Sequence, residues 1–347
     1  MIWNLLGCRT GRQRRGILPF MALLMLSVTI GCNQSNSDLS ENTEQTPQAQ
    51  EAAATPANQE RTKVVATILP TYLFTKAVAG DAADVSILVS PTTDVHDYQA
   101  TPDDVKAIAS ANILVKNGLG LEEFLDSTIK NAENPNLTRI DASQGIQTID
   151  EISPVDKTVT DTHGHSHGHS HGHSHDHADG NPHVWLDPVL AKQQVTNIRD
   201  GLIAADPANK ATYTTNAAAY IQDLDNLHSE FQQTLQKTPN CTFITFHDAF
   251  PYLAQRYNLK QVAVVQIPED QLSPGDVQKA VKAVQKYDAK ALFSEPGVDN
   301  KLLTSLAQDL NVTVRNLDSL ETGGERDPQY YFQTMRKNLQ TLADGCS

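Results

Sequence analysis

Ala208 to Gln236, ANKATYTTNAAAYIQDLDNLHSEFQQTLQ, runs for 29 residues without Pro or Gly. Ala217, Tyr220, Ile221, Leu224, Leu227, Phe231 and Leu235 recur within it at three- and four-residue steps. That spacing places them on one face of an α-helix. At 1.5 Å per residue the helix would be about 44 Å long, roughly the span of two domains. A helix of that length predicts a stiff connection between two compact halves. The halves themselves read alike. Before the helix, Val64–Leu69, Val85–Val89, Ile113–Lys116 and Leu137–Ile140 are β-rich runs. They alternate with helical segments over Pro70–Val78, from Pro102, and over Leu121–Lys130. After it, Thr242–Phe246, Val262–Val265, Ala291–Ser294 and Val312–Arg315 alternate with helices from Ala249, Pro274–Tyr287, Lys301–Leu310 and Pro328–Leu342. Repeated βα units imply a parallel sheet covered by helices. The predicted fold class is therefore α/β, with two lobes of parallel β-sheet flanked by helices and joined by one long rigid helix.

Local signals place some boundaries. Thr101-Pro102-Asp103-Asp104 combines an N-cap residue, a proline in the first turn and acids at the positive end of a helix dipole. Pro188–Ala204 reads as a helix broken at Asp206-Pro207. The predicted organisation is a signal segment over 1–31, a tether over 32–61, an N-terminal lobe over 62–206, the linking helix over 207–237 and a C-terminal lobe over 238–347. The N-terminal lobe carries a His-rich loop over 156–180.

Composition narrows the function. The chain has 347 residues, 39% of them hydrophobic, and a formal net charge of −14. A chain this acidic is poorly suited to gripping phosphates, which argues against nucleic acid. Residues 1–31 contain Arg9, Arg12, Arg14 and Arg15, no acid, and a 14-residue apolar run from Ile17 to Ile30. The run is shorter than the roughly 20 residues of a spanning helix and has the order of a secretory signal. It ends Thr29-Ile30-Gly31-Cys32, which resembles a lipoprotein cleavage site, with Thr29 and Ile30 departing from the usual residues. Lipidation at Cys32 would tether the protein to the membrane outside the cytoplasm. Removing residues 1–31 takes away four positive charges and brings the formal charge from −14 to −18. Residues 33–60 hold almost no large apolar side chain and are read as a disordered tether. Cys241 and Cys346 can form a disulfide in an oxidising compartment, or remain two thiols.

Twelve histidines are the anomaly. His163, His165, His167, His169, His171, His173, His175 and His177 alternate with Gly, Ser and one Asp. Gly and Ser supply no apolar face, so this is read as a mobile loop offering several weak or moderate metal sites rather than one rigid site. His96 lies in Asp94-Val95-His96-Asp97-Tyr98, His183 in Asn181-Pro182-His183-Val184-Trp185-Leu186-Asp187-Pro188, and His247 in Phe246-His247-Asp248-Ala249-Phe250. Each lies at the end of a strand or beside a helix start, the edge where open parallel sheets bind ligands. Two come from one lobe and one from the other, so they can converge between the lobes. His228, inside the long helix, is read as a surface residue.

These motifs together resemble the metal receptors of bacterial zinc and manganese ABC importers. They are most similar to ZnuA-like zinc receptors, which carry a His-rich acidic loop just before the Asn-Pro-His motif. The resemblance covers residues 62–347. It implies a two-lobed receptor that takes up Zn²⁺ as cargo, performs no chemistry, and passes the ion to an inner-membrane permease. The expected state is a periplasmic or otherwise extracytoplasmic monomer. By the resemblance, His96, His183 and His247 are ligands, and the fourth position is Asp318 or water. Glu295, in another cleft-edge loop, is expected to support a ligand rather than serve as one. Asp97, Asp187 and Asp248 either orient imidazoles or cap helices. Three imidazoles favour zinc, while manganese-type relatives tend to carry Glu at the position of His247. A manganese receptor is thus the nearest alternative. A zinc hydrolase is a different class, but no His-Glu-x-x-His string is present and no Gly-x-Ser-x-Gly nucleophile elbow stands on a strand-to-helix turn. Adhesion, claimed for some relatives, has no supporting repeat. Neutral imidazole as ligand predicts that metal uptake weakens as pH falls through roughly 6.5.

Overall fold

The computed structural model describes residues 61–149, 180–264, 274–289, 291–296 and 301–346. All of them lie within one compact unit of the chain, Asn58–Ser347. The signal segment, Cys32, the tether and the histidines from His163 to His177 lie outside the described residues.

The first sheet contains β1 (Thr62–Ala66), β2 (Ala83–Ile87), β3 (Ile113–Lys116) and β4 (Thr138–Asp141). The second contains β5 (Thr242–Thr245), β6 (Lys260–Ala263), β7 (Ala291–Ser294) and β8 (Thr313–Asn316). Every pairing is parallel, and the two spatial orders are β2-β1-β3-β4 and β6-β5-β7-β8. Each sheet therefore reverses its winding between its first and third strands. That reversal opens a crevice at the carboxyl ends of those strands, where ligands bind in such folds.

The helices are α1 (Leu69–Ala79), α2 (Pro102–Ser110), α3 (Leu125–Ala132), α4 (Pro188–Ala205), α5 (Lys210–Leu235), α6 (Pro251–Arg256), α7 (Pro274–Tyr287), α8 (Lys301–Leu310) and α9 (Gln329–Gly345). The linking helix α5 is 26 residues long, because Pro207–Asn209 forms a separate 3₁₀ turn ahead of it. Its buried face is Tyr213, Ala217, Tyr220, Leu224, Leu227, Phe231 and Leu235. Ile221 is only partly buried, at the edge of this stripe. Burying each large apolar side chain contributes about 1.5–3 kcal/mol. One continuous core takes in this face together with Leu73 and Phe74 of α1, Phe243 and Phe293 of the second sheet, and Tyr331 and Met335 of α9. Phe74 meets Tyr331 edge to face at 5.0 Å. The lobes thus share apolar packing rather than only a linker.

Other boundaries shift for local reasons. The helix expected from Leu121 begins at Leu125, because Glu122 is used as an acceptor by the preceding turn. Its carboxylate takes the N–H groups of Asn117 and Gly118 and the hydroxyl of Thr67, at 2.6, 3.0 and 2.6 Å. The helix expected from Ala249 starts at Pro251, whose missing N–H suits a first turn. Gly201, in the C-terminal part of α4, lets that helix lie close on β4: a Cβ there would come within 2.6 Å of the Ile140 side chain. Cys241 and Cys346 are joined in a disulfide with Cα atoms 5.7 Å apart, tying the residue before β5 to the end of α9.

Candidate metal centre

His96, His183, His247 and Glu321 each offer one ligand atom, and these atoms all lie within 4.8 Å of one another. The side chains are 3, 2, 1 and 6% exposed, so the group is enclosed by protein. His96 comes from the loop after β2, His247 from the turn after β5 and Glu321 from the loop after β8. His183 directly precedes a 3₁₀ turn, Val184–Leu186, that leads into α4.

Short-range hydrogen bonds set each ligand's direction. The Asp94 carboxylate accepts the His96 N–H at 2.8 Å, an Asx turn that fixes the His96 backbone. Asp104 closes the following segment by accepting from the Tyr98 hydroxyl and from the Thr101 N–H and hydroxyl. The side-chain oxygen of Asn181 accepts from both the backbone N–H and Nδ1 of His183, at 3.1 and 2.9 Å. Its amide nitrogen donates to the Asp248 carbonyl at 2.7 Å, binding the His183 segment to the His247 segment. Trp185, fully buried, donates from Nε1 to the Ser319 carbonyl at 2.7 Å, and Tyr331 donates its hydroxyl to the Trp185 carbonyl. Asp187 caps α4 by accepting from the Val189 N–H and pairs with Arg256 at 2.8 Å. Of its two expected roles it takes the capping one. Asp97 is exposed, whereas Asp248 is buried.

Glu321 Oε1 is 2.8 Å from His96 Nε2 and 3.2 Å from His183 Nε2, and Oε2 is 3.6 Å from His247 Nδ1. Asn181 holds the His183 proton on Nδ1, which leaves Nε2 its lone pair. Burial drives the His183 ring down to about 3 despite the pull of Glu321, so no second proton is held on it at neutral pH. A lone pair and a carboxylate oxygen thus face one another at 3.2 Å, an arrangement that a bound cation reconciles. Burial opposes ionisation of Glu321 as well, but the surrounding imidazoles overcome it and hold the carboxyl well below its usual range. Burial also disfavours charge on His247, yet Glu295 and Glu321 outweigh it and raise that ring to about 9. His247 Nε2 is buried without a hydrogen-bond partner. Such an atom is costly unless it has another task, and metal ligation is one. The His183 and His247 rings are thus displaced from the ordinary imidazole value in opposite directions.

The structure brings His96, His183 and His247 together as the sequence predicts, but places Glu321 beside them rather than Asp318. Asp318 turns back on its own loop, where its carboxylate accepts the Leu320 N–H at 2.8 Å. Asn338 holds the same residue by its N–H and its carbonyl. Leu320 then adopts φ 63°, a left-handed conformation that reverses the chain and delivers Glu321 to the imidazoles. An acid followed at i+2 by a turn is the pattern that could have disqualified Asp318 in favour of the next acid. Glu295 reaches His247 Nδ1 at 2.8 Å. His228 is half-buried and 3.0 Å from the Tyr257 hydroxyl, not a free surface residue.

The ZnuA family, described as zinc-uptake complex component A periplasmic, matches residues 64–345. The high-affinity zinc uptake system protein ZnuA of Bacillus subtilis is 33% identical over 290 residues, covering 82% of this chain and 88% of that protein. The zinc-binding protein AdcA of Streptococcus pyogenes is 31% identical over 291 residues, and the match takes in 55% of its length. Among solved structures, the Zn(II)-bound ZnuA-like domain of Streptococcus pneumoniae AdcA superposes with a TM-score of 0.67 at 28% identity, over 82% of this chain and 99% of that one. A laminin-binding protein of Streptococcus agalactiae, described as having adhesin and metal-transporting activity, gives 0.68 at 27% identity, over 82% and 100% of the two chains. With a family match spanning both lobes, the chain belongs to the ZnuA family of periplasmic zinc-uptake components.

Proposed function

We propose that this protein captures Zn²⁺ outside the cytoplasm with His96, His183, His247 and Glu321, and delivers it to the permease of an ABC importer. The observation that carries this reading is the enclosed group of three imidazoles and one carboxylate, within which an imidazole lone pair faces a carboxylate oxygen. Three nitrogens and one oxygen make a donor set suited to tetrahedral Zn²⁺, and less so to Mn²⁺, which prefers more oxygen ligands. Membership of a zinc-uptake family supports a receptor rather than a hydrolase. The histidines from His163 to His177 act as an auxiliary collector for the fixed site, and Cys32 anchors the tether. The acidic surface favours approach of cations without selecting among them.

The test is a chelator-competition titration with Zn²⁺ and Mn²⁺ on the full chain, on a variant lacking 163–177, and on His96→Ala, His183→Ala and His247→Ala within that deletion. One tight, zinc-preferring site should survive the deletion and be lost in each alanine variant. Loss of the tight site on deleting the loop, or preference for Mn²⁺, would overturn the assignment.

A further inference from the structure

The second sheet places β7 between β5 and β8. The residue at the carboxyl end of β7 therefore sits between the loop that carries His247 and the loop that carries Glu321. That residue is Glu295, and it reaches both. Its Oε1 lies 2.8 Å from His247 Nδ1. Its Oε2 accepts a short hydrogen bond from the Ser319 hydroxyl, two residues before Glu321. The Ser319 carbonyl in turn accepts from Trp185, two residues after His183. One carboxylate is thus in contact, directly or through Ser319, with three of the four segments that bear the proposed ligands.

We infer that Glu295 is a positioning residue of the zinc site, fixing the His247 ring by its Nδ1 proton and the Glu321 loop through Ser319. The inference rests on the ligand set proposed above. An ionised carboxylate only accepts, so Nδ1 must be the donor in this contact. The neutral ring then keeps its lone pair on Nε2, the atom that is buried without a hydrogen-bond partner. Outer groups that hold a metal-bound histidine in this way fix its tautomer and ring plane and strengthen it as a donor. The oxygen on Ser319 adds a second constraint, since the carboxylate cannot rotate away from His247 without releasing the neighbouring loop. Glu295 does not need to touch the ion.

Zinc affinity of Glu295→Ala, Glu295→Gln and Ser319→Ala, each alone and combined with His247→Ala, tests the role. Glu295→Ala should weaken zinc by about 10–100-fold, the range for such supporting groups. Glu295→Gln, whose amide oxygen can still accept from Nδ1, should recover part of that loss. Ser319→Ala should cost less than Glu295→Ala and nothing further once Glu295 is gone. In the His247→Ala background Glu295→Ala should cost little more, because its effect runs through the ring. The absorption spectrum of bound Co²⁺ should also change in Glu295→Ala, a signature that a purely structural residue would not give. Unchanged zinc affinity in a folded Glu295→Ala protein would overturn the inference. A full additional loss in the His247→Ala background would overturn it too, since Glu295 would then be a ligand. If His247→Ala itself left affinity intact, the ligand set would fail instead, and the two failures are told apart.

Discussion

Replacing Glu321 by Gln removes the anion and keeps the volume of the side chain, exchanging one acceptor oxygen for an N–H donor. Its carboxylate lies 2.8 and 3.2 Å from the Nε2 atoms of His96 and His183. Removing a group that merely supports a zinc ligand weakens binding by about 10–100-fold, so a direct ligand should lose at least roughly 100-fold. Asp318→Asn should stay below about tenfold, because the Asn oxygen can still accept the Leu320 N–H that shapes the loop. The readout is the zinc-induced rise in melting temperature. At free zinc 1,000 times the dissociation constant, binding stabilises by about 4.1 kcal/mol. A site about 100-fold weaker retains roughly 1.4 kcal/mol at the same zinc concentration, a loss of about 2.7 kcal/mol. At about 2 °C per kcal/mol for a domain of this size, the shift should shrink by about 5 °C in Glu321→Gln and by less than about 3 °C in Asp318→Asn. Chelator competition gives the affinities directly. A full zinc shift in Glu321→Gln together with a lost shift in Asp318→Asn would show that Asp318, not Glu321, is the ligand.

Zinc binding at pH 7.5 should release about one proton per ion from His247, falling to about half near pH 9, because the ring must become neutral to ligate. Calorimetric titration in buffers of different ionisation enthalpy measures this number, and a value of zero at pH 7.5 would contradict it. The same raised ring stabilises the metal-free fold fully below its unfolded value near 6.5, an effect lost as pH rises through about 9. His183 acts in the opposite sense: stability is present above about 6.5 and lost as pH falls toward 3, so acid unfolding should be milder in His183→Asn. Asn181→Ala frees the His183 ring and should weaken zinc by about 10–100-fold without removing a ligand; an unchanged titration would argue against its role. Reducing the Cys241–Cys346 bridge, whose partners are 105 residues apart, should destabilise the fold by up to about 4.7 kcal/mol, seen as a lower urea midpoint with zinc affinity retained.

Much of this molecule is legible along the chain because its signals are local. β3, β7, α7 and α8 follow from short apolar runs and helical spacing, and their ends fall where the residues predict. The long helix shows its buried face through Ala217, Leu224 and Phe231, although the 3₁₀ turn at Pro207 shortens it. The three scattered histidines stand out because each sits at a strand or helix boundary with a turn-forming residue beside it. Glu321 was obscured for a physical reason. Its direction depends on a left-handed Leu320 and on Asn338, which arrives from α9 and holds Asp318 by two backbone bonds. Residues so far apart in the chain leave no periodic trace. The displaced His183 and His247 rings were hidden likewise, since each shift depends on acids and burial supplied by the other lobe or a neighbouring strand.

The most direct measurement is the anomalous diffraction peak of a zinc-loaded crystal of this protein, recorded at the zinc absorption edge. A dominant peak is expected, enclosed by His96, His183, His247 and Glu321, at about 2.0–2.2 Å from one nitrogen or oxygen of each. A dominant peak on Asp318, or one found only among the histidines from His163 to His177, would contradict it.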